Sequence, residues 1–231
     1  VPSGTVADAA TPPTSEADRV LGVGGRHACL LVLGGELRCW GANEAGQLGD
    51  ASLVRRTSPV RVVGDLVFAQ VSGGMTHSCA VTRVGDAYCW GNDGRGQLGD
   101  ATTLRRPAPV RVAGREVWRE VHAGGAHSCA LDERGEVGCW GANDRGQLGD
   151  GSDVPARTTP TRARLEGEPT VALAVGVNHS CAVDRAGTAR CWGANGSGQL
   201  GDGTRGGERR LPVAVQADAP FASVAPGAVH S

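Results

Sequence analysis

The sequence predicts an all-β protein built of propeller blades, and three observations lead there. The segment CWGANEAGQLGD at 39–50 returns at 89–100, 139–150 and 191–202, with Trp40, Trp90, Trp140 and Trp192 spaced by 50, 50 and 52 residues. That period is far too long for a coiled coil and falls in the range of propeller blades. Each period also holds four short β-type runs bounded by glycine or proline, the strand count of one blade. Glycine is high, at 37 of 231 residues, yet it recurs at fixed places such as Gly24, Gly74, Gly124, Gly176 and Gly227, which marks turns and close backbone contacts rather than low complexity.

Residues 1–19, rich in Ala, Pro, Thr and Ser without periodicity, read as a disordered linker. From 20 to 231 the chain reads as a repeat array with units at 20–56, 57–106, 107–158 and 159–210 and a partial fifth unit at 211–231. The second unit displays the four runs as PVRVV (59–63), VFAQV (67–71), HSCAV (77–81) and AYCWG (87–91), and the first unit lacks the PVRVV run. The chain stops one residue short of the next cysteine position, so the array is expected to be a fragment of a longer one. Its four blades are expected to leave a ring unclosed, with outer faces that favour self-association.

The hairpin sets the cysteine register. Cys29 and Cys39 are symmetric about residue 34, with Gly35 one place beyond the centre, and Gly85, Gly135 and Gly187 repeat this. A three-residue hairpin loop with a glycine bulge pairs residues whose numbers sum to a constant. Cys29 then faces Cys39, Cys79 faces Cys89, Cys129 faces Cys139 and Cys181 faces Cys191. Opposed strand residues have Cα atoms about 4.5–5.5 Å apart, within disulfide reach. The register puts aliphatic pairs such as Leu31 and Leu37 on the cysteine face. It places each Trp on the opposite face across from Ala28, Ser78, Ser128 or Ser180, where a large ring over a small residue suits blade stacking.

Three chemistries suit these cysteines. Four disulfides are favoured and would point to an oxidising compartment, hence secretion or surface display. Free buried thiols are the second. The third is zinc, held by His27, Cys29 and Cys39 and by their repeats at His77, His127 and His179, three ligands with an open position.

Composition excludes several functions. With 23 basic residues, all arginine, against 24 acidic ones, the net charge is near zero and no block of like charge invites a polyanion. No apolar run spans a bilayer. The N-x-x-G-Q-L-G-D loop lacks the Lys-Ser/Thr of a phosphate loop and the oxygen spacing of a calcium loop. Asn43 and Gln47 are expected to bond buried loop backbone, Gly46 and Gly49 to allow its tight path, and Asp50 to cap or pair with an arginine. No catalytic triad stands out, because the His and Ser residues that could form one recur with the fold and have no unique copy. The unrepeated Phe68, Met75, Tyr88, Trp118, His122 and Phe221 are expected in the core.

The repeat resembles the regulator of chromosome condensation family through Gly24, His27, Gly35, Trp40, Asn43, Gly46, Gln47, Leu48 and Gly49 and their copies over 20–215, with Gly227 and His230 opening a further copy. The resemblance implies a seven-bladed β-propeller, of which this chain holds about four blades. The cysteines depart from the family's eukaryotic pattern, where Leu or Ser is usual. That family retains the histidine without the cysteines, which argues for a hydrogen-bonding role and against zinc.

The expected function is a non-enzymatic, secreted or surface-attached bacterial scaffold for protein–protein interaction, without cofactor, metal or nucleic acid. Its partner would contact loop residues that differ between copies: Glu44, Asp93, Arg95, Asp144 and Arg145. The resemblance offers two alternatives, guanine-nucleotide exchange with chromatin binding, and inhibition of an enzyme by one face of a secreted propeller.

Overall fold

The computed structural model describes residues 21–225 and 227. The linker expected at 1–19 and the copy of the histidine at His230 lie outside the described residues. Sixteen strands form four antiparallel sheets of four, each running in chain order from inner to outer strand. The first holds β1 Leu21–Val23, β2 His27–Leu31, β3 Leu37–Gly41 and β4 Arg56–Arg61, and the second β5 Phe68–Gly73, β6 His77–Thr82, β7 Ala87–Gly91 and β8 Arg106–Arg111. The third holds β9 Trp118–Ala123, β10 His127–Asp132, β11 Val137–Ala142 and β12 Ala156–Arg162, and the fourth β13 Thr170–Val175, β14 His179–Asp184, β15 Ala189–Ala194 and β16 Glu208–Ala214.

The phase of the blades differs from the phase of the sequence units. The run at 59–63, grouped by sequence with the strands that follow it, belongs to the preceding sheet, where β4 pairs with β3. The first sheet therefore does not lack a fourth strand. Proline explains the assignment: Pro59, Pro109, Pro160 and Pro212 all fall in β4, β8, β12 and β16, the outermost strands, and only an edge strand tolerates a residue that cannot donate to the ladder.

The central hairpins have the register set by their glycines. Gly35 adopts φ +88°, a left-handed conformation open to glycine at little cost, and its N–H donates to Val32 O at 3.0 Å. Cys29 then pairs with Cys39, Ala28 with Trp40 and Leu31 with Leu37, and the same pattern holds in the other three hairpins. Disulfides join Cys29–Cys39, Cys79–Cys89, Cys129–Cys139 and Cys181–Cys191, and no free cysteine remains among the described residues.

The sheets stack in chain order, and the core lies between them. The disulfide face of the first sheet, with Leu31, Leu37, Leu48 and Val62, packs on Phe68, Val71, Ala80 and Trp90 of the second. The next two interfaces repeat this, with Trp118 and Trp140 against Cys79–Cys89 and Trp192 against Cys129–Cys139. Trp90, Trp140 and Trp192 are fully buried, while Trp40, on the first sheet, is half-buried. Phe68, Trp118 and His122 are buried as expected, and Tyr88 and Phe221 are partly so. Met75 is not in the core: it is 50% exposed, because the glycine-rich turn after β5 carries it to the axial side, where it lines a depression with Gly25, Gly74 and Gly124.

Candidate functional site

In each sheet the loop that follows the Trp joins the third strand to the fourth, and in the first sheet this loop is built by two amides. Asn43 Oδ1 accepts from Leu48 N–H at 2.9 Å, while its Nδ2 donates to Asp50 Oδ1 at 3.0 Å and to the Ser52 and Val54 carbonyls, both at 3.1 Å. Gln47 Oε1 accepts from Ala45 N–H at 3.0 Å. Asp50 receives Ser52 Oγ at 2.8 Å and Arg56 Nε at 2.9 Å. Burial works against its ionisation, but the Ser52, Arg56 and Asn43 bonds outweigh burial and hold the carboxyl below the ordinary range. Asp100, Asp150 and Asp202 repeat the arrangement with Arg106, Arg157 and Arg209. Gly49, at φ +69°, lets the loop close directly over the next sheet: a Cβ there would stand 2.8 Å from Trp90 Nε1.

The backbone carbonyl of the glutamine joins one blade to the next. Gln47 O accepts from Trp90 Nε1 at 2.9 Å and from Ser78 Oγ at 2.8 Å. Ser78 Oγ in turn meets His27 Nε2 of the first sheet at 2.8 Å. The serine's single hydrogen goes to Gln47 O, so His27 must donate, and its neutral tautomer carries the proton on Nε2. Gln97 O with Ser128, Trp140 and His77, and Gln147 O with Ser180, Trp192 and His127, form the same node. Burial lowers His27 to about 4 and His77 and His127 to about 3, so the rings are neutral near pH 7. The zinc alternative fails on this geometry: the sulfurs are bonded to each other, and the Nε2 atoms of His27, His77 and His127 are directed at serines. No group of three metal-ligating side chains occurs among the described residues.

The loop residues singled out by sequence variation divide into two sets. Glu44, Asp144 and Arg145 are exposed and Arg95 is half-buried. Glu44 pairs with Arg55 at 3.2 Å while its carbonyl accepts from Arg105 of the next loop at 3.1 Å. Arg95 pairs with Asp144 and donates to Pro155 O at 3.0 Å, and Arg145 lies 3.8 Å from Glu208. Four of these five contacts cross between neighbouring blades. Asp93 is a correction. It is not on the surface but fully buried, because it occupies the position of Asn43 and accepts from Leu98 N–H at 2.9 Å.

Sequence reasoning missed Ser78, Ser128 and Ser180 as the centres of the inter-blade nodes, although Ser recurs before each of these cysteines and Ala28 alone breaks the pattern. It also missed Arg105, Glu208 and Arg210, whose partners stand across blade boundaries with no local sequence signal. On the same loops Val54 and Leu104 are 58% and 61% exposed beside Arg55 and Arg105. Beyond the fourth sheet, a cavity of about 410 Å³ is lined by Cys191, Leu200, Val215, Phe221 and Val224.

The profile of the regulator of chromosome condensation (RCC1) repeat matches residues 34–81, 84–131, 134–183 and 187–231, and a second profile of the same repeat matches 68–97, 118–147 and 171–199. No curated protein matches the sequence significantly. Among solved structures, human WBSCR16 superposes with a TM-score of 0.80 at 25% identity over 90% of this chain and 55% of its own. Prp20p from Saccharomyces cerevisiae gives 0.78 at 23% identity over 90% and 53%. The ectodomain of the Arabidopsis thaliana receptor kinase ACR4 gives 0.55 at 20% identity over 90% and 55%. The chain thus spans about half the length of the structures it matches. No helix among the described residues is long and apolar enough to cross a membrane.

Proposed function

Since the chain belongs to the regulator of chromosome condensation repeat family, we propose that it is a non-enzymatic scaffold for protein–protein interaction, working in an oxidising, extracellular or cell-surface setting. One observation carries this reading. The polar side chains that recur between repeats, Asn43, Gln47, Asp50, Ser78, His27 and their copies, are engaged in loop closure and blade stacking. They form no open constellation of nucleophile, base and oxyanion donors. What the fold leaves exposed is the loop surface, which carries Glu44 and Val54 on the first blade, Leu104 and Arg105 on the second and Arg145 on the third. Aliphatic side chains among arginines suit a protein partner that presents apolar groups flanked by carboxylates. Four disulfides in 231 residues are consistent with an oxidising compartment.

Nucleotide exchange with chromatin binding is the second reading. Prp20p was described together with its binding properties toward Gsp1p and histones. At 23% identity that likeness speaks for the fold. A formal net charge of −1 gives this chain little counterion-release drive toward DNA, and its disulfides suit a reducing nucleus poorly.

The test is capture from secreted and envelope proteins with the wild-type chain and with Glu44→Arg, Arg105→Glu and Arg145→Glu combined. These groups are exposed, so the fold should survive their reversal. A partner lost on reversal supports the loop surface, and capture that is unchanged places the site elsewhere. Salt-sensitive DNA binding near physiological ionic strength would favour the second reading.

A further inference from the structure

The loop of the second blade breaks the donor pattern of the other three. Asn143 repeats the bonds of Asn43, its Nδ2 donating to Asp150 Oδ1 at 3.4 Å and to the Ser152 and Val154 carbonyls at 3.3 and 3.0 Å. Asn195 donates to Asp202 Oδ1 at 3.2 Å and Thr204 O at 3.4 Å. At the same position Asp93 keeps half of the amide's function, since its Oδ1 accepts from Leu98 N–H as Asn43 Oδ1 does from Leu48. Its Oδ2 stands where the other blades have an NH2 group, among acceptors. The nearest donor, Thr102 Oγ1, is 3.4 Å away, and that hydroxyl's one hydrogen is better placed on Asp100 Oδ1 at 2.6 Å. An ionised Asp93 would thus be fully buried, facing a second carboxylate, with no donor of its own for Oδ2.

We propose that Asp93 is a neutral carboxylic acid in the folded protein, donating its proton from Oδ2 to Asp100, and that loss of this proton loosens the second loop as a pH-sensitive latch. The charged groups facing it are Asp100 and, through Asp100, Arg106 at 2.9 Å. Arg95 of the same loop is turned to Asp144, and Arg105 to the Glu44 carbonyl. Burial, with the Asp100 charge added, pushes Asp93 up to about 6, against the opposing pull of the Leu98 N–H. A carboxyl raised in the folded state contributes full stability below its unfolded value near 3.8, and that contribution is lost as pH rises through about 6. Across that interval the folding equilibrium of the latch should weaken by about a hundredfold.

The other loops of the same molecule are internal controls. Amide hydrogen exchange followed by NMR on the whole chain, at pH 5 and pH 7.5, should show Leu98 protection falling at least about tenfold relative to Leu48 and Leu148. Asp93→Asn should abolish the fall, and should raise the melting temperature at pH 7.5 but not at pH 4. A Leu98 ratio that does not change with pH, or an Asp93→Asn variant that keeps the fall, would overturn the proposal. So would restoration of Leu98 protection at pH 7.5 by calcium chloride or sodium chloride in the wild type alone, since a cation would then be closing the loop.

Discussion

Ser128→Ala removes one hydroxyl from the interface between the second and third blades, and the structure fixes what that should cost. Ser128 Oγ accepts from His77 Nε2 at 2.9 Å and donates to Gln97 O at 3.0 Å. His77 and Ser128 are both fully buried, so water cannot replace the lost partner. Orphaning the His77 N–H costs about 1–3 kcal/mol, and the bond to Gln97 O is worth about 1 kcal/mol more. Gln97 O itself stays satisfied by Trp140 Nε1 at 2.9 Å. The variant should therefore unfold in urea about 2–4 kcal/mol more easily, read by tryptophan fluorescence, with a melting temperature lower by very roughly 5–12 °C. The same change in a His77→Phe background should cost at most about 1 kcal/mol, because no N–H is left to orphan. A Ser128→Ala variant within about 0.5 kcal/mol of wild type, or a cost undiminished by His77→Phe, would refute the node as the link between blades.

The buried histidines make the protein acid-sensitive. Their folded values, about 4 for His27 and about 3 for His77 and His127, lie below the unfolded value of 6.5, so the stability they contribute is complete above 6.5 and is lost as pH falls. At pH 5 the loss should be about 2 kcal/mol for each ring, measured as the pH dependence of urea midpoints, and His77→Gln should remove one ring's share of it. Replacing both Cys79 and Cys89 by alanine should lower stability by about 3 kcal/mol, the chain-entropy value for a loop of about 11 residues, and the intact mass of the wild-type chain without reductant should be eight hydrogen atoms lighter than that of its reduced form. Ala101 holds φ +66° where the third blade has Gly151 at φ +73°. Ala101→Gly should thus stabilise by about 0.5 kcal/mol, net of glycine's unfolded-state entropy, and an equal or lower melting temperature would count against strain at that turn.

Local chemistry explains which features could be read from the sequence. The cysteine pairing follows from one glycine in each hairpin, because a left-handed residue one place past the centre allows a single register. The Trp over a small residue follows from the same arithmetic. The pairing of 59–63 with the preceding sheet was not legible from the spacing of the runs alone, since 63 and 67 are close enough for a hairpin. Proline supplied the missing signal, for Pro59 requires an edge, and the outer edge of the preceding sheet satisfies Leu37–Gly41 at the same time. Asp93 was misplaced for a different reason. A charged residue in a loop is ordinarily solvated, and only its alignment with Asn43 reveals a buried acceptor position whose second oxygen requires a proton.

The division between recurrent and unique residues follows from how the blades are held together. A four-stranded sheet of three- to seven-residue strands buries little by itself, and each interface here needs a histidine and a loop carbonyl from one blade with a serine and a tryptophan from the next. Residues in such a node cannot vary without uncoupling two blades, so they recur. Ala28 fits this rule: it occupies the serine position on the first sheet, and no described histidine faces it. The disulfide lies within a sheet rather than between sheets, so it strengthens each unit without constraining how neighbours dock. Variation is then cheapest on the loop surface, at Glu44, Arg105 and Arg145, whose exposed ion pairs and carbonyl contacts contribute little to stability. Selection for a partner can act there at small cost to the fold.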